Sequence, residues 1–211
     1  ALCFVERYPE RKEELIRRIR EGRIYVSPFL CNTLWALNSI EQALRALYPA
    51  RRLAEEWGFP LDTAHHIEEP SLPWGMATLL AGSGIRWLNV PFLKYDSTFA
   101  TLENPPLFAY EGPDGSAVRV VMDPWASIRA SYAQGRNILK APDSVMADWL
   151  PHYRSLGSGY PWRAILASGT HGDISPTKGE QAAGFAQAII DYNAQPGVHP
   201  ALINATFPMF C

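Results

Sequence analysis

Apolar positions along the chain alternate between a helical period and short runs suited to strands. Leu15, Ile16 and Ile19 make one stripe of a helix predicted over residues 9–20. Pro9 suits its first turn, acidic residues follow, Arg17, Arg18 and Arg20 sit where the helix dipole favours cations, and Gly22 stops it. Residues 23–27 read as a strand that ends at Pro28. Ser39-Ile40-Glu41-Gln42 is a capping box opening a helix to about residue 57, with Leu44, Leu47 and Leu53 on its apolar face. Pro49 kinks or divides that helix and Gly58 ends it. A strand over 61–67 is broken by Glu68, Glu69 and Pro70; a helix over 74–81, closed by Gly82 and Gly84, leads to a strand over 85–90.

Two apolar runs, 108–110 and 117–122, flank Pro113-Asp114-Gly115 and predict a hairpin. A helix over 143–156, a strand over 162–168, a second capping box at Thr177-Lys178-Gly179-Glu180 with a helix to about 193, and a strand over 201–205 complete the pattern. Strands separated by helices of this length require parallel crossovers. Six core strands are expected, near residues 24, 64, 87, 119, 165 and 203, in one α/β domain spanning 1–211, an incomplete barrel. The chain opens on Ala1-Leu2-Cys3-Phe4 with no initiator Met or signal peptide, and it stops at Phe210-Cys211 just after the last expected strand. The expectation is a segment of a longer protein, whose site is incomplete here.

Composition narrows the class. With 47% apolar and 19% charged residues in 211, the chain is a folded globular protein, and disorder is excluded. A net charge of −2 supplies no basic field for a polyanion, so nucleic acid is not expected as a partner. No run of 18 apolar residues is present, so no membrane-spanning helix is expected. Cys3, Cys31 and Cys211 are too widely spaced for a zinc motif and read as free thiols. The 18 prolines imply many loops, and 7 tryptophans placed among them favour flat, weakly polar ligands such as sugars; the alternative for each Trp is a place in the core.

In parallel α/β folds the working groups lie at the carboxyl ends of strands. Those ends offer Asn32 and Thr33, residues 65–69, Tyr95 and Asp96, Asp123 and Trp125, Thr170-His171-Gly172-Asp173, and Asn204. In His65-His66-Ile67-Glu68-Glu69-Pro70, two adjacent carboxylates repel each other. One held partly protonated suits acid/base work, and the pair also suits a hard metal ion. Alternate strand residues face opposite ways, so only part of this cluster can enter one site; a polar loop is the other reading. His171 and Asp173, two apart, either share a cavity where they ligate a metal or orient a hydroxyl, or form a turn. His152, within a helix, and His199, beside Pro200, read as structural or exposed. The chain has no P-loop, no GxGxxG fingerprint and no GxSxG elbow; Gly112-Pro113-Asp114-Gly115 is a turn.

Several segments, in order, resemble the N-terminal domain of glycoside hydrolase family 38, the α-mannosidases, in its divergent bacterial form. They are Tyr8-Pro9-Glu10-Arg11-Lys12 to Glu21-Gly22-Arg23-Ile24, then Asn32-Thr33 and residues 41–53, then Glu69-Pro70-Ser71-Leu72-Pro73-Trp74-Gly75 with Leu79-Leu80 and Gly84-Ile85. Pro106-Leu107-Phe108, Glu111-Gly112-Pro113-Asp114-Gly115, His171-Gly172-Asp173 and Asp191-Tyr192-Asn193-Ala194 follow. The resemblance implies a (β/α)7 barrel lacking its first strand here, a zinc ion, a carbohydrate substrate, and C-terminal domains of the parent chain as partners. It implies a retaining mechanism in which Glu69 or Glu68 is the nucleophile and Asp173 a weaker candidate for acid/base. Glu69 and His171 would touch the metal, while Asn32, Trp74 and His171 would line the sugar pocket.

Three departures from the family stand out. Its nucleophile is Asp, where Glu68 and Glu69 stand here, and the spacing to Pro70 and to Leu72-Pro73-Trp74 leaves both registers open. Its His-x-Asp zinc ligands would precede residue 1, and a further zinc His would follow residue 211. The alternatives are a catalytically inactive carbohydrate-binding or scaffold domain, which the Asp-to-Glu change favours, and a metal-dependent carbohydrate deacetylase, whose Asp pair and HxxxH motif are not found.

Overall fold

The structure is a computed structural model describing residues 1–31, 33–66, 72–90, 106–122, 142–166, 179–197 and 200–211. The chain forms two compact units, one of residues 1–90, 107–122 and 205–211 and one of residues 91–106 and 123–204.

The first unit is mixed α/β. Its helices are α1 (Leu2–Arg7), α2 (Lys12–Arg20), α3 (Ile40–Trp57) and α4 (Gly75–Gly82). Its strands are β1 (Thr63–His65), β2 (Trp87–Asn89), β3 (Leu107–Glu111) and β4 (Ala117–Val121). They make one open sheet in the order β1-β2-β4-β3, with β1, β2 and β4 parallel and β3 antiparallel to β4. Among the described residues no closed barrel is formed.

The helices follow their sequence signals. Ser39 accepts the Gln42 N–H while the Gln42 side chain accepts the Ser39 N–H, so the predicted capping box is complete. Pro49 is accommodated inside α3, and Gly58 closes it in the left-handed conformation at φ 65°. Arg20 Nε donates to the Trp57 carbonyl at 2.6 Å, tying α2 to the carboxyl end of α3. Glu14 and Glu21 pair with Arg17 and Arg18 along α2, but these exposed pairs add little stability.

Register decides what the sheet buries. Ala64, Leu88 and Val120 lie side by side across β1, β2 and β4, all essentially solvent-free. Leu47, Leu53, Ala54 and Trp57 of α3, with Met76 and Leu80 of α4, belong to the same core. Burial running along β1 and β2 with little alternation is the mark of covered parallel strands.

The hairpin turn is built on α4. Asp114 Oδ1 accepts from the Ser116 N–H, the Ser116 hydroxyl and, at 2.5 Å, the Thr78 hydroxyl of α4. These donors hold the Asp114 carboxyl down at about 2. Gly112 lies so close to α4 that an added Cβ would overlap Thr78 Oγ1 and stand 2.8 Å from the Thr78 backbone nitrogen. Gly112→Ala is therefore expected to cost about 2 kcal/mol and lower the melting temperature by several degrees, read by thermal unfolding. Gly82→Ala, with no heavy atom within 4 Å of its Cβ position, is the control and is expected not to destabilise.

Three expected strands do not form among the described residues. Residues 23–27 form no ladder; instead the Tyr25 and Ser27 hydroxyls donate to the carbonyls of Thr63 and His65 at the edge of β1. Side chains there occupy the acceptors that a neighbouring strand would use. Residues 162–166 and 201–205 are irregular as well. The last are held by the Asn193 amide, which donates to the Leu202 carbonyl and accepts the Leu202 N–H, replacing a strand partner. A short helix, Phe207–Phe210, follows, anchored on the first unit where the Thr206 hydroxyl donates to the Gly22 carbonyl.

The described part of the second unit contains helices Pro142–Ser155 and Gly179–Asn193, which pack together. Tyr153, Tyr160 and Trp162 form a continuous ring contact, with centroids 4.6 and 4.9 Å apart. His152 lies in the first of these helices, edge-on to Tyr153. Thr177 and Lys178 of the second expected capping box lie outside the described residues. Among the described residues no helix is long and apolar enough to cross a membrane. Cys3, Cys31 and Cys211 are free and exposed.

Candidate functional site

Among the described residues the buried polar side chains are Thr63, which opens β1, and His66 and Asn89, at the carboxyl ends of β1 and β2. His65 and Asn89 are register partners, and the His66 N–H extends the pairing by donating to the Asn89 carbonyl at 3.0 Å.

The two histidines face different surroundings, as alternation along a strand requires. Asn89 Nδ2 lies 3.1 Å from His65 Nδ1. An amide nitrogen only donates, so His65 Nδ1 accepts and its proton resides on Nε2. His66 is 1% exposed and packs edge-on to Phe29 (5.4 Å) and beside Trp35 (5.7 Å). Its Nε2 accepts the Thr33 N–H at 3.3 Å, which places the proton on Nδ1. Burial disfavours charge on both rings. The His66 pKa falls from 6.5 to about 4; that of His65 is lowered by burial and, secondarily, by repulsion from His66.

Trp74 caps the start of α4 and is 65% exposed. Its indole N–H donates to the Glu111 carbonyl at 2.8 Å, while the Tyr110 hydroxyl binds the Leu72 and Pro73 carbonyls just before it. The hairpin thus fixes an aromatic ring that remains largely open to solvent.

Of the residues singled out by sequence, Trp74 and Thr33 are placed as described. Glu68, Glu69, Asn32, His171 and Asp173 lie outside the described residues, as do Tyr95, Asp96, Asp123, Trp125, Thr170 and His199. Asn204 is exposed in the irregular segment after Asn193. The sequence reading passed over Trp35 and Asn89. Asn89 is a polar residue near the end of an apolar strand, which is a usable signal; Trp35 lies in a loop, and no pattern marks it as buried. Among the described residues no group of three or more His, Cys, Asp or Glu side chains is placed to hold a metal ion.

No protein-family model matches the chain, and no curated protein matches it. Among solved structures, it is similar to a 4-alpha-glucanotransferase from Thermococcus litoralis, at 16% identity and a TM-score of 0.48. The match covers 71% of this chain and 23% of that enzyme, so the chain spans about a quarter of the neighbour's length. A likeness of this degree carries no conclusion about substrate or reaction.

Proposed function

We propose that the chain is a carbohydrate-active hydrolase of the retaining, α-mannosidase type, built on a (β/α)7-type barrel. The observation that supports it is Trp74: a ring at the start of α4, pinned through its N–H to the Glu111 carbonyl at the end of β3, yet 65% exposed. An exposed aromatic face immobilised in this way offers an apolar platform for the C–H face of a pyranose at little entropic cost. In this reading Glu69 or Glu68 attacks the anomeric carbon and expels the leaving oxygen. That oxygen takes its proton from a second carboxyl group, protonated at this stage, which then removes a proton from the water that hydrolyses the glycosyl-enzyme. Asn32 lines the sugar pocket in this reading.

The zinc implied by the resemblance is not matched by the described residues. His65 Nδ1 takes the Asn89 amide, His66 Nε2 takes the Thr33 amide, and no third donor stands with them. No step above is routed through a metal; each uses a carboxyl group.

The test is hydrolysis of 4-nitrophenyl α-D-mannopyranoside. Turnover with retained anomeric configuration is expected. Trp74→Ala is expected to raise KM roughly tenfold with a smaller change in kcat, the loss of one stacking contact. Saturable binding of the mannoside without turnover would instead make this the inactive carbohydrate-binding domain, which the Glu-for-Asp departure favours. Neither binding nor turnover would end the proposal.

A further inference from the structure

Among the described residues, two buried N–H groups of the first unit have no acceptor. Trp35 and His66 are 2% and 1% exposed, and neither Trp35 Nε1 nor His66 Nδ1 has a hydrogen-bond partner. Most buried polar atoms are paired, because an unpaired one leaves its desolvation uncompensated. Here two such groups share one ring cluster with Phe29, centroids 4.9 to 5.7 Å apart.

The chemistry of the missing partner is constrained. Indole nitrogen only donates. His66 has its other nitrogen committed to the Thr33 N–H, so its free nitrogen also donates. Two donors exclude a metal ion, which needs lone pairs. They also disfavour a carboxylate, whose charge would be buried against uncharged donors. A neutral oxygen has the two lone pairs that two such donors require.

We infer that the Phe29–Trp35–His66 cluster is a binding point for a neutral oxygen acceptor, supplied by an enclosed water or by the hydroxyl of a ligand. Bound there, the oxygen joins the turn at Trp35–Leu37 to the end of β1, adding to the Thr33 N–H bond to His66 Nε2 and the Trp35–His66 ring contact. An internal water with polar partners is part of a fold and costly to remove.

The experiment is NMR of the whole chain, with 15N-labelled tryptophan and histidine, and with methyl α-D-mannopyranoside as the hydroxyl probe. His66 should show the Nδ1–H tautomer, and the Trp35 indole and His66 Nδ1 protons should cross-relax with a long-lived water. If that water contact persists unchanged as the glycoside is added, the oxygen is an internal water. If both resonances instead shift saturably, with a common midpoint, the oxygen is a ligand hydroxyl. Absence of both the water contact and the glycoside response overturns the inference, as does a proton on His66 Nε2. None of these results depends on whether the chain hydrolyses glycosides.

Discussion

Of the two variants Glu68→Gln and Glu69→Gln, one is expected to abolish mannoside hydrolysis, by on the order of a thousandfold or more, and the other to change it by less than tenfold. A covalent nucleophile must carry negative charge and form a bond to the anomeric carbon; an amide of the same shape does neither. The asymmetry is the sharper part of the expectation. A covalent nucleophile is one carboxylate in line with one anomeric carbon, so a single substrate meets one of the two adjacent side chains. Equal losses in both variants would point to a structural effect, and full rate in both would remove the nucleophile assignment. Rescue of the impaired variant by added azide, with inverted product, would confirm that a carboxylate nucleophile had been removed.

Acidification is expected to destabilise the first unit by about 3 kcal/mol between pH 6.5 and pH 4, through His66. Its pKa falls from an ordinary 6.5 to about 4 because the ring is buried. Between these values the unfolded chain binds a proton that the folded chain does not, so stability rises with pH. The contribution is fully present above 6.5 and is lost as pH falls through about 4. Protonation would also set a second donor against the Thr33 N–H, breaking the bond that holds the 33–35 segment to the end of β1. His65 titrates with the same sign and steepens the loss. Denaturant midpoints measured from pH 7.5 to 4 check this. His66→Gln should flatten the profile, and an unchanged slope in that variant would assign the acid loss elsewhere.

The local signals that proved legible share a feature: each is satisfied within a few residues of itself. The Ser39–Gln42 box, the helix stop at Gly58 and the Pro113-Asp114-Gly115 turn all formed as read. So did the strands around 64, 87 and 119, where apolar residues at the right period have helices and neighbours to bury against. The strands expected near 24 and 203 failed because strand propensity does not supply a partner. Tyr25 and Ser27 meet β1 through hydroxyls, and Leu202 meets the Asn193 amide. A pattern of apolar residues cannot distinguish a ladder from a side-chain substitute for one.

The same division holds for the candidate site. The row of acidic and imidazole groups after β1 was visible as composition at a strand end, and Trp74 as an aromatic beside prolines. That Trp74 is open while Trp35 and Trp57 are buried depends on where the hairpin and the loop around residue 35 come to rest. The amino-acid sequence by itself determined α2, α3, α4, the two helices of the second unit, the turn and the three parallel strands, because those follow from nearest-neighbour hydrogen bonds and apolar periodicity. Only the tertiary structure decided which nitrogen of each histidine carries its proton, and that two buried donors lack acceptors. Those outcomes depend on contacts 24 and 33 residues apart in the chain, which no local pattern encodes.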